Sequence, residues 1–342
     1  MTSNAWAMML GIAMQALLFH AMPRFSRPDI LFAVTVPEAV ASGVGRALVA
    51  RYRIIVWTGA AAALAVSLLI PAVPSGRGAF LSMAVIAGNL IVGLCAWVWA
   101  NRRARFHAVA HADVRVASLV PRDTSLPGGV LFAAGPFAIL LATAVLVHVY
   151  GDQAPEGSRS TGSFGTLALG VLYVAMMLTM AVSLARRSRQ VAVDGLAAAA
   201  EQRFRVVNVL VLILAGYAMA IMLSVTTLES LPTFDHTLSG RVGFVMLPMM
   251  LFNFGVAFWM FRVGQGGQRA VPAAARQEVH GDATPDHAWK IGGLFYFNRH
   301  DPAIWVEKRI GLGYTLNLGN WRAWLLIVGM ILAFMVVSRL VF

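Results

Sequence analysis

The chain has one cysteine, two lysines and few charges of either sign. A single thiol, Cys95, excludes an intrachain disulfide and a zinc cluster of thiolates; inside an apolar run it reads as a small packing residue. Asp, Glu, Lys and Arg make up 12% of 342 residues, against roughly 25% in soluble domains. That shortage excludes a water-soluble fold. The apolar fraction of 59% excludes disorder, which needs few apolar residues and many charges. The recognisable enzyme signatures GxxxxGK[ST], GxSxG, HExxH and paired CxxC are also missing. No mid-span carboxylate is present to relay a proton or to serve an intramembrane aspartyl protease.

The chain is rich in long apolar runs. Stretches at 4–22, 54–73, 79–100, 129–149, 164–185, 206–228, 242–261 and 323–342 are each about 20 residues long. That length crosses a ~30 Å hydrocarbon core as helix. The runs are continuously apolar and do not alternate, so helices and not barrel strands are expected. The expected fold class is an all-α polytopic membrane protein of about eight transmembrane helices. A small cytoplasmic β-containing unit precedes the last helix.

Basic residues in the gaps between these stretches number 5, 1, 5, 1, 5, 1 and 8. This alternation is the positive-inside pattern. It places the heavy gaps in the cytoplasm and both termini outside. The heavy gaps hold 23 basic and 11 acidic residues, which accounts for the whole net charge of +12. Topology and anionic lipid explain the basic balance, and no nucleic acid is needed. The first run lacks a basic leading segment and reads as an uncleaved helix.

The expected domains are a seven-helix membrane region at 1–263, a flexible linker rich in Gly, Ala, Gln and Pro at 264–288, a membrane-facing unit at 289–320, and a last helix at 321–342. The unit reads WKIGGLFYFNRHDPAIWVEKRIGLGYTLNLGN. It sets six aromatics among Lys290, Arg299, Lys308 and Arg309, a mixture suited to the lipid headgroup layer. The same residues read either as a small β-unit packed under the helices for stability or as a ligand or partner site. His107 and His111, four apart, suit a solvated helix face better than a metal, for want of further ligands. The mild polar residues inside the spans (Gln15, Asn89, Thr143, Tyr173, Asn208, Tyr217 and Asn253) suit hydrogen bonds between packed helices.

The outer gaps 148–163 and 229–241 carry His148, Asp152, Asp235 and His236, the candidate ligand-binding residues. Ordinary solvated loops are the alternative. No catalytic residue, metal ligand or cofactor is expected.

The stretch WKIGGLFYFNRHDP…VEKRIGLGYTLNLGN resembles the C-terminal signature of a bacterial multi-pass membrane family of unknown function. Its motif residues here are Trp289, Lys290, Tyr296, Asn298, Asp301, Lys308, Arg309 and Asn317. FRVGQGG at 261–267 and LFAVTVP at 31–37 are similar to other segments of that family. GSFGTLALGVLY at 162–173 is similar to SdpI-type membrane proteins. The resemblance implies protection against a secreted toxin peptide, or signalling, with His148 and Asp152 as the residues carried over. The stretch LVHVYGDQAPEG departs from the Pro-x-His-x-Asn-like segment of those proteins. The expected function is a non-enzymatic binding, immunity or sensor protein with the lipid bilayer, and a secreted peptide or small solute, as partners. The alternative is a transporter of a small or amphipathic solute.

Overall fold

The computed structural model describes residues 3–27, 29–69, 75–109, 124–151, 161–187, 195–229, 231, 242–270, 284–310 and 313–341. They divide into two compact units. Unit 1 comprises Met1–Val116, Ala273–Asn298 and Val306–Leu316. Unit 2 comprises Ala117–Pro272, Arg299–Trp305 and Asn317–Phe342. The stretch expected as one small domain, 289–320, is therefore shared out between them.

Unit 1 contains helices α1 (Ser3–Ala21), α2 (Glu38–Ser42), α3 (Val44–Leu69) and α4 (Ser75–Ala104). Between α1 and α2 lies a hairpin of β1 (Ile30–Leu31) and β2 (Val34–Thr35). A second hairpin pairs β3 (Trp289–Lys290) with β4 (Phe295–Tyr296), Trp289 opposite Tyr296. The long helices form because an apolar run in hydrocarbon must satisfy every backbone group within itself. They pack through small residues: a Cβ on Gly93 would collide with the Phe19 ring, and one on Gly59 with Val92. The core joins Ile12, Ala16, Tyr52, Val56, Trp97 and Ala100 with Phe32 and Val34 of the first hairpin.

Unit 2 contains α5 (Gly129–Gly151), α6 (Thr161–Ala185), α7 (Gly195–Glu229), α8 (Val242–Val263) and α9 (Trp321–Val341). A third hairpin, β5 (Trp305–Glu307) with β6 (Tyr314–Leu316), belongs to unit 1 except for Trp305, which belongs to unit 2. Leu140, Val147, Leu167, Val174 and Ala220, on α5, α6 and α7, form a core of unit 2. Pro136 lies inside α5 and has no N–H to give the carbonyl of Phe132 one turn back. Tyr217 of α7 supplies the missing donor, its hydroxyl 2.7 Å from that oxygen. Gly135 makes room for it, since a Cβ there would overlap the phenol.

Among the described residues, six helical segments are long and apolar enough to cross a membrane: Val44–Leu69, Phe80–His107, Gly129–Tyr150, Ser163–Ala185, Ala199–Glu229 and Trp321–Arg339. Helices α1 and α8 cover the other two apolar stretches. Two helices run well past the apolar limits read from sequence. α3 starts ten residues before 54, and α7 has 35 residues, about 52 Å at 1.5 Å each. The basic residues of those extensions are good helix formers, so the helix continues beyond the hydrocarbon.

Of the expected linker, residues 265–270 form a 3-10 turn against α7, where a Cβ on Gly267 would strike the backbone of Ala200. Residues 284–288 are also ordered, with Thr284 and Ala288 buried; 271–283 lie outside the described residues. Cys95 is exposed on the outer face of α4, not packed inside as expected, because the small residues facing the core there are Ala96 and Ala100.

Candidate functional site

In unit 1 the motif residues build a closed lock. The β1–β2 turn uses Phe32 (φ 47°) and Ala33 (φ 65°), both left-handed and both strained for residues with a Cβ. Its surroundings hold it. The Phe32 ring lies edge-on to Tyr52 and Trp97 at 5.1 and 5.0 Å, and its carbonyl accepts from Asn101 Nδ2 at 2.7 Å. The β3–β4 turn nests on the same tip: Gly293 (φ 90°) lies so close to Ala33 that a Cβ would clash, and Trp97 Nε1 donates to the Gly292 carbonyl at 2.8 Å.

Arg309 closes this lock. Its side chain is fully buried, pairs with Asp286, donates to the Ala33 carbonyl at 2.9 Å and lies over the Trp289 ring at 5.5 Å. Asp286 in turn accepts from Thr35 Oγ1 at 3.1 Å. A second pair, buried on both sides, joins Arg27 to Glu307. Trp289 donates to Thr284 Oγ1 at 2.8 Å, and its ring packs on Tyr296 at 5.1 Å between centroids. Asn298 donates to the Tyr296 hydroxyl at 3.2 Å. Lys290 is exposed and donates to the His287 carbonyl at 2.9 Å. Lys308 is exposed by area, yet desolvation by surrounding protein lowers its ammonium from the ordinary lysine value.

In unit 2 the remaining motif residues shape an open cavity. Asn317 is fully buried and donates to the carbonyls of Asp301 and Ala303 at 2.9 and 3.2 Å. Asn320 donates to the Pro302 carbonyl at 2.8 Å, and the Asp301 carboxylate accepts from the Ala303 N–H at 3.0 Å. These bonds hold 301–305 as a shaped loop. Trp305 Nε1 then donates to Ser183 Oγ at 2.7 Å, and Arg187 Nε to the Trp305 carbonyl at 3.1 Å. Arg187 also pairs with buried Glu201 of α7 at 3.7 Å.

The loop and the end of α6 enclose a cavity of about 680 Å³. Phe137, Leu178 and Trp305 supply apolar wall; Arg186, Arg187 and Arg322 supply charge. Arg187 is bonded as described, whereas Arg186 is exposed and makes no side-chain hydrogen bond or ion pair with a described residue. Arg322 is exposed too, and its guanidinium lies over the Trp321 ring at 5.6 Å. Chemically this wall can hold an anion with an apolar body; among its described residues Thr179 and Ser183 carry the hydroxyls.

A family described as "Family of unknown function (DUF5808)" matches residues 299–324. The match covers the loop 301–305, the Asn317 and Asn320 clamps and the first residues of α9, the parts that shape this cavity. No curated protein and no solved structure matches the chain.

Of the residues expected in a ligand site, His148 is exposed at the end of α5; Asp152, Asp235 and His236 lie outside the described residues. His107 is exposed, and His111 lies outside the described residues. Sequence reasoning missed Arg186, Arg322 and Ser183 as neighbours. Arg322 lies far along the chain from Ser183 and Arg186, and only the basic charge at the span ends hinted at the arginines. The mid-span polar residues divide. Asn89 donates to Gln15 Oε1 at 2.8 Å and Thr143 to Ser224 Oγ at 2.8 Å, both between helices. Asn208 and Asn253 bond back within their own helices, and Tyr173 lines a second cavity.

Proposed function

We propose that this integral membrane protein is a non-enzymatic binding protein of the bacterial cytoplasmic membrane, in the sensor or immunity class, and that the unit 2 cavity is its ligand site. The carrying observation is the 680 Å³ cavity, whose wall includes two exposed arginines and whose rim is the family-matched segment. A basic and apolar wall suits holding an amphipathic anion better than transferring protons. All eight helices cross, with both termini outside; the 5, 1, 5, 1, 5, 1, 8 series of basic residues supports that orientation. It puts the cavity, at the end of α6 and the start of α9, at the inner membrane surface. The likeness of the middle region to SdpI-type proteins supports the immunity arm.

The test blocks the cavity. Ala175→Phe introduces a ring into its wall without touching a hydrogen bond. The variant is expressed in a deletion strain screened against antimicrobial peptides, detergents and envelope stress. Wild-type abundance with lost protection is expected; wild-type abundance with full protection overturns the reading. Topology is tested separately: reporter fusions after Arg186 and at the C-terminus should report opposite sides.

The second cavity, within the span between α6, α7 and α9, favours one other reading, a transporter of an amphipathic solute. Uptake into proteoliposomes that Ala175→Phe abolishes would select it.

A further inference from the structure

The geometry points to a single site for an anionic phospholipid, running along α6 from a phosphate-binding mouth to an acyl-chain slot. This inference rests on the cavity being the ligand site and names the class of ligand.

Two cavities of unit 2 meet on α6. The basic one holds about 680 Å³. The other holds about 540 Å³ and is lined by Leu172, Met176, Met219, Leu223, Met330 and Phe334, among others, from α6, α7 and α9. Ala175 and Thr179 border both. Thr179 turns its hydroxyl back to the Ala175 carbonyl at 2.8 Å, so it presents its methyl side and adds no unmet polar group at the junction. The described lining of the second cavity carries no charged side chain.

The dimensions agree with one leaflet. From Thr179 to Leu169 the lining of the apolar slot runs ten residues along α6, about 15 Å. With the stretch from Thr179 to Arg186 added, the whole path along α6 is about 25 Å, close to the ~20–22 Å of one leaflet with its headgroup layer. Arg186 stands seven residues beyond Thr179, about 10 Å further, at the level where α6 ends and α9 begins. That level is marked as interfacial by Trp321 and Trp324, 65% and 49% exposed at the start of α9. A lipid with its chain in the slot therefore brings its phosphate to the arginines.

Charge selects the headgroup. Arg187 is already paired with Glu201, whereas Arg186 and Arg322 have no carboxylate partner among the described residues. A zwitterionic choline headgroup carries its own cation to this mouth; a glycerol headgroup does not. Guanidinium forks match phosphate oxygens in geometry and in sign.

The test uses the full-length protein, purified in neutral detergent and read by native mass spectrometry. Phosphatidylglycerol, phosphatidylcholine and inorganic phosphate are added separately. Wild type should retain phosphatidylglycerol over phosphatidylcholine by about 30-fold, at about 1 kcal/mol for each of two arginines. Arg186→Gln with Arg322→Gln should abolish that preference while leaving the weaker retention of both lipids. Gly329→Phe, which narrows the slot from the α9 side, should lower retention of both lipids, with the thermal transition recorded to exclude unfolding. Equal retention of the two lipids by wild type overturns the inference. So does displacement of phosphatidylglycerol by an equal concentration of inorganic phosphate, which would reduce the site to a free-phosphate site. Either result leaves the cavity reading standing if Ala175→Phe still costs protection. If Ala175→Phe is silent in cells yet the lipid preference is present, the lipid site stands and the functional reading falls.

Discussion

In unit 1 the guanidinium of Arg309 is wholly buried and bonded to Asp286, the Ala33 carbonyl and the Trp289 ring. In unit 2 the guanidiniums of Arg186 and Arg322 stand exposed on a cavity wall with no carboxylate partner among the described residues. The same side chain therefore has opposite work in the two units. Buried and bonded, it fixes two strained hairpin turns on α4. Exposed and unbonded, it leaves donors for something outside the chain. A buried charge must be paired or the fold loses several kcal/mol, whereas an exposed one costs the fold little. Motif residues contribute to both arrangements: Trp289, Tyr296 and Arg309 to the lock, Asp301 and Asn317 to the cavity rim.

The comparison can be broken most directly at Arg309. Arg309→Met leaves Asp286 without its cation, though still accepting from Thr35, and the Ala33 carbonyl without its donor. Because Asp286 is only partly buried, the cost should be about 2–3 kcal/mol, below that of a fully buried pair. Thermal unfolding of the detergent-purified protein should show a large fall in the midpoint, or abundance should collapse. A midpoint within a degree of wild type would mean that unit 1 is not locked through this residue.

Next comes the repair of α5. Tyr217→Phe removes the hydroxyl that serves the carbonyl freed by Pro136. The expected loss is about 1 kcal/mol, typical of a hydrogen bond between helices in a membrane. Pro136→Ala in the same background should recover most of it, since the helix then satisfies that carbonyl itself. Failure of the second change to rescue the first would refute the account.

A smaller effect is expected at the rim. Trp305→Phe keeps the aromatic wall but loses the bond to Ser183 Oγ. About 0.5–1.5 kcal/mol should go with it, and Ser183→Ala combined with it should add almost nothing. Additive losses would show that the two groups are not partners.

The smallest effect sharpens the contrast. Arg186→Gln and Arg322→Gln should each alter stability by less than about 0.5 kcal/mol, although together they abolish lipid preference. If either destabilises as strongly as Arg309→Met, the distinction between the two units fails.

Much of the architecture was legible in the chain itself. An apolar run of 20 residues has one stable form in hydrocarbon, so composition alone gives helices and their approximate places. Six helices qualify as spans among the described residues, and the small β-containing stretch before the last helix is present as short hairpins. The aromatic-basic stretch was also visible as unusual, because charges and rings so mixed need partners. The first hairpin was not. Phe32 and Ala33 have none of the chemistry of a tight two-residue turn, which prefers Asn and Gly, and they hold it only because Trp97, Asn101 and Arg309 surround them.

The sequence by itself determined that this is a membrane protein, where its apolar helices lie and on which loops its positive charge collects, because hydrophobicity and charge act residue by residue along a chain. Only the tertiary structure decided which arginines are consumed and which remain open. Arg187 finds Glu201 fourteen residues on, Arg309 finds Asp286 twenty-three residues back, and Arg186 finds no carboxylate among the described residues. Pairing depends on distances across folded elements, and a cavity is a property of what several of them fail to fill; neither quantity exists until the chain has packed.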